Sequence, residues 1–204
     1  MERKIAFFDF DDTLIKRDSM LHLLVYYTKS HPLAIFQWLK IFIYGILYFI
    51  KIIPFLSLKK EILYPISKMS SDELKEFYQN NLVKRYYPHV VSILKEKKKE
   101  GYLIFLVSAS PEAYLIHTDL PVDFIIGTLL AQENGKYSNK IISKNCKHEE
   151  KVVRINKILK EENILIDYEH SFGYSDSTSD LPMLRLVKNR IRVDKKDASL
   201  SEFI

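Results

Sequence analysis

Short apolar segments that end directly in acidic or hydroxylated side chains restrict the fold of this sequence most. The segment KIAFF at 4–8 ends at Asp9, and the segment YLIFLV at 102–107 ends at Ser108. Apolar runs of this length are typical of buried strands. In open α/β sheets, ligands bind beyond the carboxyl ends of the strands, so both polar ends are candidate ligand-binding positions.

Further strands and helices alternate along the second half of the chain. We predict strands at 123–127, 170–174 and 190–193, and helices at 149–160 and 178–187. An Asn-Gly pair at 134–135 favours a small hairpin near 129–142. Strands that alternate with helices indicate a parallel sheet with helices on both faces. The expected fold class is therefore α/β, with a doubly wound parallel sheet.

A helical insertion is expected between the first and second strands. The residues there do not alternate between strand and helix patterns, and the pair Ser70 and Glu73 has the spacing of a capping box that opens a helix over 71–84. We therefore expect a helical cap inserted into a catalytic core, with the cap at 18–85 and the core at 1–17 and 86–204.

The cap contains a strongly apolar segment at 32–58. Lys40 and Lys51 bracket an uninterrupted apolar stretch of residues 41–50, whereas a membrane-spanning helix needs ~20 apolar residues. Apolar side chains occur around the whole helix circumference, so the segment has no clean polar face. Three interpretations stay open: shallow insertion into a membrane surface, a true span, and a helix that is buried or contacts a second copy.

Composition restricts the class of partner. The formal net charge of +5 favours anionic partners such as phosphate esters or anionic lipid surfaces. The basic run at 94–101 is interpreted as an exposed helix end capped at Gly101. No zinc-ligand spacing or RNA-binding aromatic motif accompanies it, so no nucleic-acid partner is expected. The single cysteine, Cys146, and the lack of signal-peptide features at Met1 favour a cytoplasmic location.

The strongest chemical signal is the acidic sequence that follows the first strand. Asp9 and Asp11 alternate with Phe10, and the chain turns immediately afterwards. Carboxylates clustered directly after a buried strand are unfavourable without a cation. Mg²⁺ prefers oxygen ligands and keeps several waters, so few protein carboxylates suffice to bind it. This sequence therefore predicts a magnesium site.

A phosphate-binding sequence follows the second predicted strand. A serine hydroxyl such as that of Ser108, together with free backbone N–H groups at a helix start, can bind phosphate. A lysine at the start of the helix near 149 neutralises phosphate charge; Lys151 is the first candidate and Lys147 the second. Serines also cap helices and lysines usually lie on the surface, so each signal alone is weak.

A second acidic sequence follows the predicted strand at 170–174. Asp176 lies directly after that strand, and Asp180 lies one helical turn later. Asp176 would complete the cation site, while a helix-capping role is the alternative for this residue.

Taken in order, these motifs resemble those of the haloacid dehalogenase (HAD) superfamily. Asp9, Asp11 and Thr13 match its first motif, and Ser108 matches its second. Lys151 matches its third motif, and Asp176 with Asp180 matches its fourth. Asp12 departs from the pattern, because many members have glycine there. The insertion matches the cap position of the phosphoserine phosphatase-like group, subfamily IB. Within that group, the last motif, the lysine motif and the apolar cap are most similar to phosphatidylglycerophosphatase C-like members.

The resemblance implies a Mg²⁺-dependent phosphomonoester hydrolase that acts through an aspartyl-phosphate intermediate. It implies that Asp9 is the nucleophile and Asp11 the general acid and base. The implied metal ligands are Asp9, the backbone carbonyl of Asp11, and Asp176. The implied phosphate ligands are Ser108, the Ala109 backbone N–H and Lys151. Asp180 would orient Lys151 or the water shell of the metal, and Thr13 would fix the loop after the strand.

The substrate is less constrained than the chemistry. The resemblance implies that an acid at the position of Asp18 contacts a substrate amino group, although capping of the first cap helix is the favoured role. No arginine lies between Arg17 and Arg85 to bind the carboxylate of phosphoserine. The apolar cap favours a phospholipid head-group phosphate such as phosphatidylglycerophosphate, reached at the cytoplasmic face of a membrane. Phosphoserine or histidinol phosphate is the alternative.

Three other classes of protein share part of this pattern. A receiver-like phosphoacceptor domain also clusters acids near a lysine, but its acceptor lies in mid-chain and it has no large helical insertion. A phosphotransferase of the same superfamily would pass the phosphoryl group to a hydroxyl acceptor. A membrane-interaction module with a decayed site is disfavoured, because clustered acids are unfavourable without a metal.

Overall fold

Ten strands and eight α-helices form the computed structural model, which describes residues 1–203. The strands are β1 (Glu2–Arg3), β2 (Ile5–Phe8), β3 (Leu103–Pro111), β4 (Phe124–Thr128), β5 (Leu130–Glu133), β6 (Lys136–Ile141), β7 (Leu165–Ile166), β8 (Phe172–Ser175), β9 (Asn189–Val193) and β10 (Leu200–Glu202). The helices are α1 (Ser19–Ser30), α2 (Ile35–Phe49), α3 (Phe55–Ile62), α4 (Ser71–Phe77), α5 (Pro88–Lys99), α6 (Glu112–Leu115), α7 (Glu149–Glu161) and α8 (Leu181–Leu184).

The central sheet has six strands in the order β10-β9-β8-β2-β3-β4. All neighbours are parallel except the edge strand β10, which runs antiparallel to β9. Strand β2 lies in the middle, where Phe7 is in register with Phe105 of β3 and with Gly173 of β8. The predicted doubly wound α/β fold is therefore confirmed, and the carboxyl ends of β2, β3 and β8 meet at one edge.

Alternation of side chains along β2 divides the core between the two faces of the sheet. Ala6 and Phe8 belong to one buried apolar cluster, whereas Ile5 and Phe7 belong to another. This two-residue period is the geometry of a strand. Because all four side chains are fully buried, β2 is held rigidly, and so is the backbone that leads into Asp9.

All five predicted strands of the core are present, and so is the predicted hairpin. In that hairpin, β5 and β6 pair antiparallel across Asn134 and Gly135, both of which have positive φ. The predicted helix end at Gly101 is also confirmed, since α5 ends at Lys99 and Gly101 has φ +84°.

The helix predicted over 178–187 is shorter than expected. A 3₁₀ turn at Thr178–Asp180 precedes α8, which ends at Leu184. The Ser177 hydroxyl accepts a hydrogen bond from the Ser179 backbone N–H, and such local bonds compete with helix formation. The prediction also omitted the edge strand β10 and the two-stranded pair of β1 and β7.

Every described element between β2 and α5 is helical. The Ser70 hydroxyl accepts from the Glu73 backbone N–H, and the Glu73 carboxylate accepts from the Ser70 backbone N–H. The predicted capping box is therefore confirmed. The helix continues past α4 as a π-helical turn at Tyr78–Leu82 and a 3₁₀ turn at Val83–Arg85.

The apolar segment folds as two helices that pack against each other on the surface. Glu61 of α3 accepts a hydrogen bond from Gln37 and pairs with Lys40, both on α2, at 3.0 and 2.8 Å. No residue of α2 is buried, so the interpretation of a helix buried inside the cap is wrong. The reason is that α2 packs along one side only and its other side contacts no described part of the chain.

Candidate active site

One cleft of about 220 Å³ opens at the carboxyl ends of β2, β3 and β8. The predicted site residues that line it are Asp9, Asp11, Asp18, Ser108, Ala109, Lys151, Asp176 and Asp180. Thr13 lies beneath it, where its hydroxyl accepts a hydrogen bond from the Asp176 backbone N–H at 3.0 Å. The sheet order thus brings together residues that are widely separated in the sequence.

A buried lysine between two aspartates forms the base of the cleft. Lys151 Nζ lies 2.7 Å from Asp9 Oδ1 and 2.7 Å from Asp180 Oδ2. Although burial lowers the pKa of Lys151, the two carboxylates raise it above its ordinary value, so the side chain is a cation. Burial raises the pKa of Asp9, and Lys151 opposes that rise by favouring the ionised carboxylate.

The Asp11 carboxylate is held by two serines. Its Oδ1 accepts from the Ser19 backbone N–H at 2.6 Å, and its Oδ2 accepts from the Ser110 hydroxyl at 2.5 Å. Burial, with the negative charge of Asp18, raises the pKa of Asp11 to about 7. A carboxyl group with this pKa exchanges protons readily near neutral pH, which suits a general acid and base.

The Ser108 side chain is oriented by a backbone group at the end of its own strand. It is buried near the end of β3, and its Oγ accepts from the Ser110 backbone N–H at 3.0 Å. This bond uses a lone pair of the hydroxyl, so its proton is left to donate to a ligand. The backbone of Ala109 lines the cleft beside it.

The acids of the cleft carry more negative charge than the lysines neutralise. Six aspartates and three lysines line it. Burial and neighbouring carboxylates raise the pKa values of Asp9, Asp11 and Asp176, which is the electrostatic signature of a site that suits a cation. Among residues 1–203 no three His, Cys, Asp or Glu side chains are grouped for a metal.

The predicted ligand set nevertheless suits Mg²⁺. Both carboxylate oxygens of Asp11 are engaged by serines, which leaves its backbone carbonyl as the metal-binding group. With Asp9 and Asp176 this gives three oxygen ligands, and Mg²⁺ commonly fills its other positions with water and substrate oxygens.

Asp18 occupies the N-cap of α1, as favoured from the sequence. Its Oδ1 accepts from the Leu21 backbone N–H at 2.9 Å. The same residue also lines the cleft, so contact with a substrate amino group stays a prediction.

Several residues of the site were not identified from the sequence. Ser19 and Ser110 hold Asp11, and the Ser19 hydroxyl also contacts the Tyr114 hydroxyl at 2.7 Å. Lys59 of α3 reaches the cleft from the cap and is fully buried. A serine next to a predicted phosphate ligand was a weak signal for Ser110, whereas nothing near Lys59 in the chain distinguishes it from Lys60.

Comparison with known proteins gives a family match over most of the chain. A family model described as haloacid dehalogenase-like hydrolase matches residues 6–185. Histidinol-phosphatase of Neisseria meningitidis serogroup C (strain 8013) is 29% identical over 146 residues, which are 68% of this chain and 65% of that protein. This match spans slightly less than two thirds of the relative's length.

Solved structures share the fold at low sequence identity. A Bordetella pertussis Tohama I protein of unknown function has a TM-score of 0.79 and 22% identity, over 94% of this chain and 90% of that one. A phosphoserine phosphatase described as a phospho-aspartyl intermediate analogue has a TM-score of 0.60 and 16% identity, over 94% and 87% of the two chains. At these identities the likeness establishes the fold alone.

Proposed function

The chain belongs to the haloacid dehalogenase-like hydrolase family, and we propose that it cleaves phosphate monoesters through an aspartyl-phosphate on Asp9, with Mg²⁺ as its cofactor. The observation that carries this proposal is the buried contact of Lys151 with Asp9 and Asp180 beside Ser108 in one cleft. A carboxylate, a lysine cation and a serine hydroxyl surround a space that suits a phosphoryl group, and this supports Asp9 as the nucleophile.

In the first step, a carboxylate oxygen of Asp9 attacks phosphorus while the bond from phosphorus to the leaving oxygen breaks. Lys151 holds the other oxygen of that carboxylate and orients the group. Asp11 gives its proton to the leaving alkoxide, which departs as an alcohol. The product on the protein is an aspartyl-phosphate, which divides one difficult displacement into two easier ones.

In the second step, water attacks the same phosphorus atom. Asp11, now ionised, takes the proton of the attacking water, and the bond from phosphorus to Asp9 breaks. Inorganic phosphate leaves and both carboxyl groups return to their starting states. The Ser108 hydroxyl, the Ala109 N–H and Lys151 donate to the phosphoryl oxygens in both steps. Mg²⁺, when bound, neutralises phosphate charge and polarises the phosphoryl group.

A small organic phosphate is the first candidate substrate. The cleft volume of about 220 Å³ leaves limited room beyond the phosphoryl group. Asp18 at its wall offers a carboxylate to an amino group, as in an amino-alcohol phosphate. Similarity to the Neisseria histidinol-phosphatase supports histidinol phosphate as the first compound of this kind to examine.

We expect Mg²⁺-dependent release of inorganic phosphate from at least one ester of a defined panel. The panel contains histidinol phosphate, phosphoserine, lysophosphatidic acid, phosphatidylglycerophosphate in detergent and p-nitrophenyl phosphate, each assayed with Mg²⁺ and with EDTA. Preference for histidinol phosphate would establish the small-substrate assignment. No Mg²⁺-dependent release from any member would contradict the proposal. Phosphoryl transfer to an added alcohol in place of water would reassign the protein as a phosphotransferase.

A phospholipid phosphate is the second candidate, because the cap presents an unusually apolar surface. The segment Pro32–Phe49 has a mean hydropathy of 1.5, and none of its residues is buried. Its exposed large side chains include Phe36, Phe42 and Phe49, and Phe55 just beyond it lines the cleft. A contiguous exposed apolar surface of this kind marks an interaction site.

The contacts of α2 favour a position on the bilayer surface over a span. A spanning helix would have to leave α3 and break the contacts of Glu61 with Gln37 and Lys40. The basic side chains Lys29 and Lys51, which flank the segment on either side, suit an anionic surface. We therefore propose that α2 lies in the interface of an anionic bilayer.

Vesicle flotation tests this second candidate. The wild-type protein is expected to float with vesicles that contain phosphatidylglycerol. Replacement of Phe36, Phe42 and Phe49 together by glutamine should lower the bound fraction by about tenfold or more, because the variant buries less apolar area in the bilayer. A matched control replaces three similarly exposed apolar residues on the catalytic core domain by glutamine, namely Ile142, Val153 and Leu165. This control should float like the wild type.

Two results would reject the membrane proposal. Recovery of the wild-type protein entirely in the soluble fraction would reject both the surface and the spanning interpretations. A dimer in light scattering that the triple phenylalanine variant loses would assign the apolar surface to a second copy of the chain.

The finer assignments follow from the same proposal. We propose the division into a core at 1–17 and 86–204 and a cap at 18–85, and membership of the phosphoserine phosphatase-like subfamily IB. Closeness to phosphatidylglycerophosphatase C depends on the lipid result, and the cytoplasmic location stays a prediction. The receiver-like alternative is disfavoured because the family match describes hydrolases.

A further inference from the structure

A second buried lysine lies at the cleft, and the mechanism above does not use it. Lys59 belongs to α3 of the cap, and its side chain is fully buried. Its Nζ donates to the Ala109 carbonyl at 2.6 Å, the Thr128 hydroxyl at 2.8 Å and the Asn145 side-chain oxygen at 2.5 Å. All three partners belong to the core, so this one side chain joins the cap to the ends of β3 and β4 and to Asn145.

The charge of Lys59 has no ion-pair partner among the described residues. Its three protons are used by three neutral oxygens, while Asp11 and Asp18 act on it only from a distance. Burial accordingly lowers the pKa of Lys59 to about 8. A buried cation without a carboxylate is unfavourable in the absence of another anion, and a phosphate ester in the cleft is such an anion.

The hydrogen bond to Ala109 connects Lys59 with the phosphate-binding serine. The Ala109 carbonyl belongs to the peptide group whose N–H is that of Ser110, and this N–H donates to Ser108 Oγ at 3.0 Å. A cation on the carbonyl of a peptide group fixes its plane and polarises its N–H. The Ser108 hydroxyl therefore accepts from the Ser110 N–H, and its own proton is directed away from that N–H, towards the cleft.

We propose that Lys59 is a positioning residue, through which the docked cap orients the Ala109–Ser110 peptide and so aims the Ser108 hydroxyl at the substrate phosphate. The inference rests on the proposed function, because the ligand is taken to be a phosphate. Its consequence is that the phosphate site is complete only when α3 is seated on the core. Phosphate affinity and cap docking are therefore coupled through one side chain.

Calorimetric titration with inorganic phosphate in Mg²⁺ buffer tests this coupling without requiring turnover. Lys59→Met keeps the length and apolar stem of the side chain but removes the charge and the donors. We expect it to weaken phosphate binding by about tenfold, since hydrogen bonds to charged groups have this order of effect. The matched control is Lys60→Met, which removes an exposed lysine from the adjacent position and should bind phosphate like the wild type.

A double-mutant cycle with Ser108→Ala separates positioning from a general structural role. If Lys59 acts through Ser108, then Lys59→Met should weaken binding much less in the Ser108→Ala background than in the wild type. Fully additive losses would overturn the proposed route through Ser108. Unchanged phosphate affinity in Lys59→Met would overturn the proposal itself, whether or not the melting temperature falls.

Two additional measurements keep the test decisive. If Lys59→Met does not fold, Thr128→Val removes one partner of Lys59 and also the second donor to the Ala109 carbonyl. It should weaken phosphate binding by a smaller factor, and unchanged affinity would overturn the proposal. Phosphate binding by the wild type together with no hydrolysis of any ester would contradict the proposed function, while the cycle would still decide the role of Lys59.

Discussion

Replacement of Asp9 by asparagine is expected to lower the turnover number by more than about a thousandfold while the fold stays intact. The amide cannot form the acyl-phosphate, so the reaction loses its covalent route. The change should be tolerated structurally, because Asp9 is held by its backbone N–H to the Tyr174 carbonyl as well as by its side chain. Phosphate release and thermal melting in the same buffer measure the two effects separately.

Asp12→Asn is the matched control for this experiment. Asp12 lines the same cleft, so the substitution also removes one negative charge from it. Its φ of +56° is in the left-handed region, which asparagine tolerates well. The bond from the Arg17 backbone N–H to its Oδ1 can be kept by the amide oxygen. Turnover should fall by less than about tenfold. Normal phosphate release by Asp9→Asn would refute the nucleophile assignment.

Replacement of Lys151 by methionine is expected to abolish turnover and also to destabilise the fold. The substitution leaves Asp9 and Asp180 buried without a counter-charge. Removal of one partner from a buried ion pair typically lowers the free energy of unfolding by about 3–5 kcal/mol. Urea unfolding in EDTA measures this loss without a contribution from a bound metal. The loss should shrink as the pH falls, because burial raises the pKa of Asp9 and protonation removes its uncompensated charge.

Two further variants separate the structural effect of Lys151 from its catalytic effect. Lys151→Met combined with Asp180→Asn removes one uncompensated charge, so stability should recover in part while turnover stays absent. Lys157→Met breaks an exposed pair with Glu161 on the same helix, in which the side chains are 73% and 59% exposed. It should change the free energy of unfolding by less than about 1 kcal/mol. Full activity of the Lys151→Met variant would exclude a role in phosphate binding.

Local patterns were sufficient to predict most of the sheet and most of the residues that line the cleft. Strand β2 is a short apolar run bounded by acids, and burial of such a run leaves its polar end at the edge of a sheet. The parallel arrangement then brings Asp9, Ser108 and Asp176 together, because all three lie where parallel strands end. These predictions succeeded because periodicity and residue type act over a few neighbouring positions.

Residues that act on the site from another element were not predicted. Lys59 and Lys60 are adjacent in an apolar and basic segment, yet the first is fully buried and the second is exposed. Only the seating of α3 against the carboxyl ends of β3 and β4 and against Asn145 decides which of them meets three oxygens of the core. Likewise, the contact of Ser19 with Asp11 depends on where α1 begins in space.

The apolar segment shows the same division between local and tertiary causes. Its composition determines that helices form there and that they contact something apolar, because large aliphatic and aromatic side chains gain free energy on leaving water. Its composition does not determine the partner, and the interpretation of burial inside the cap was wrong for α2. The amino-acid order therefore specifies strands, helices and the polar residues at the strand ends through short-range rules. Burial, charge compensation and the contact of Lys59 with the Ala109 carbonyl depend on packing between distant segments, which the tertiary structure alone decides.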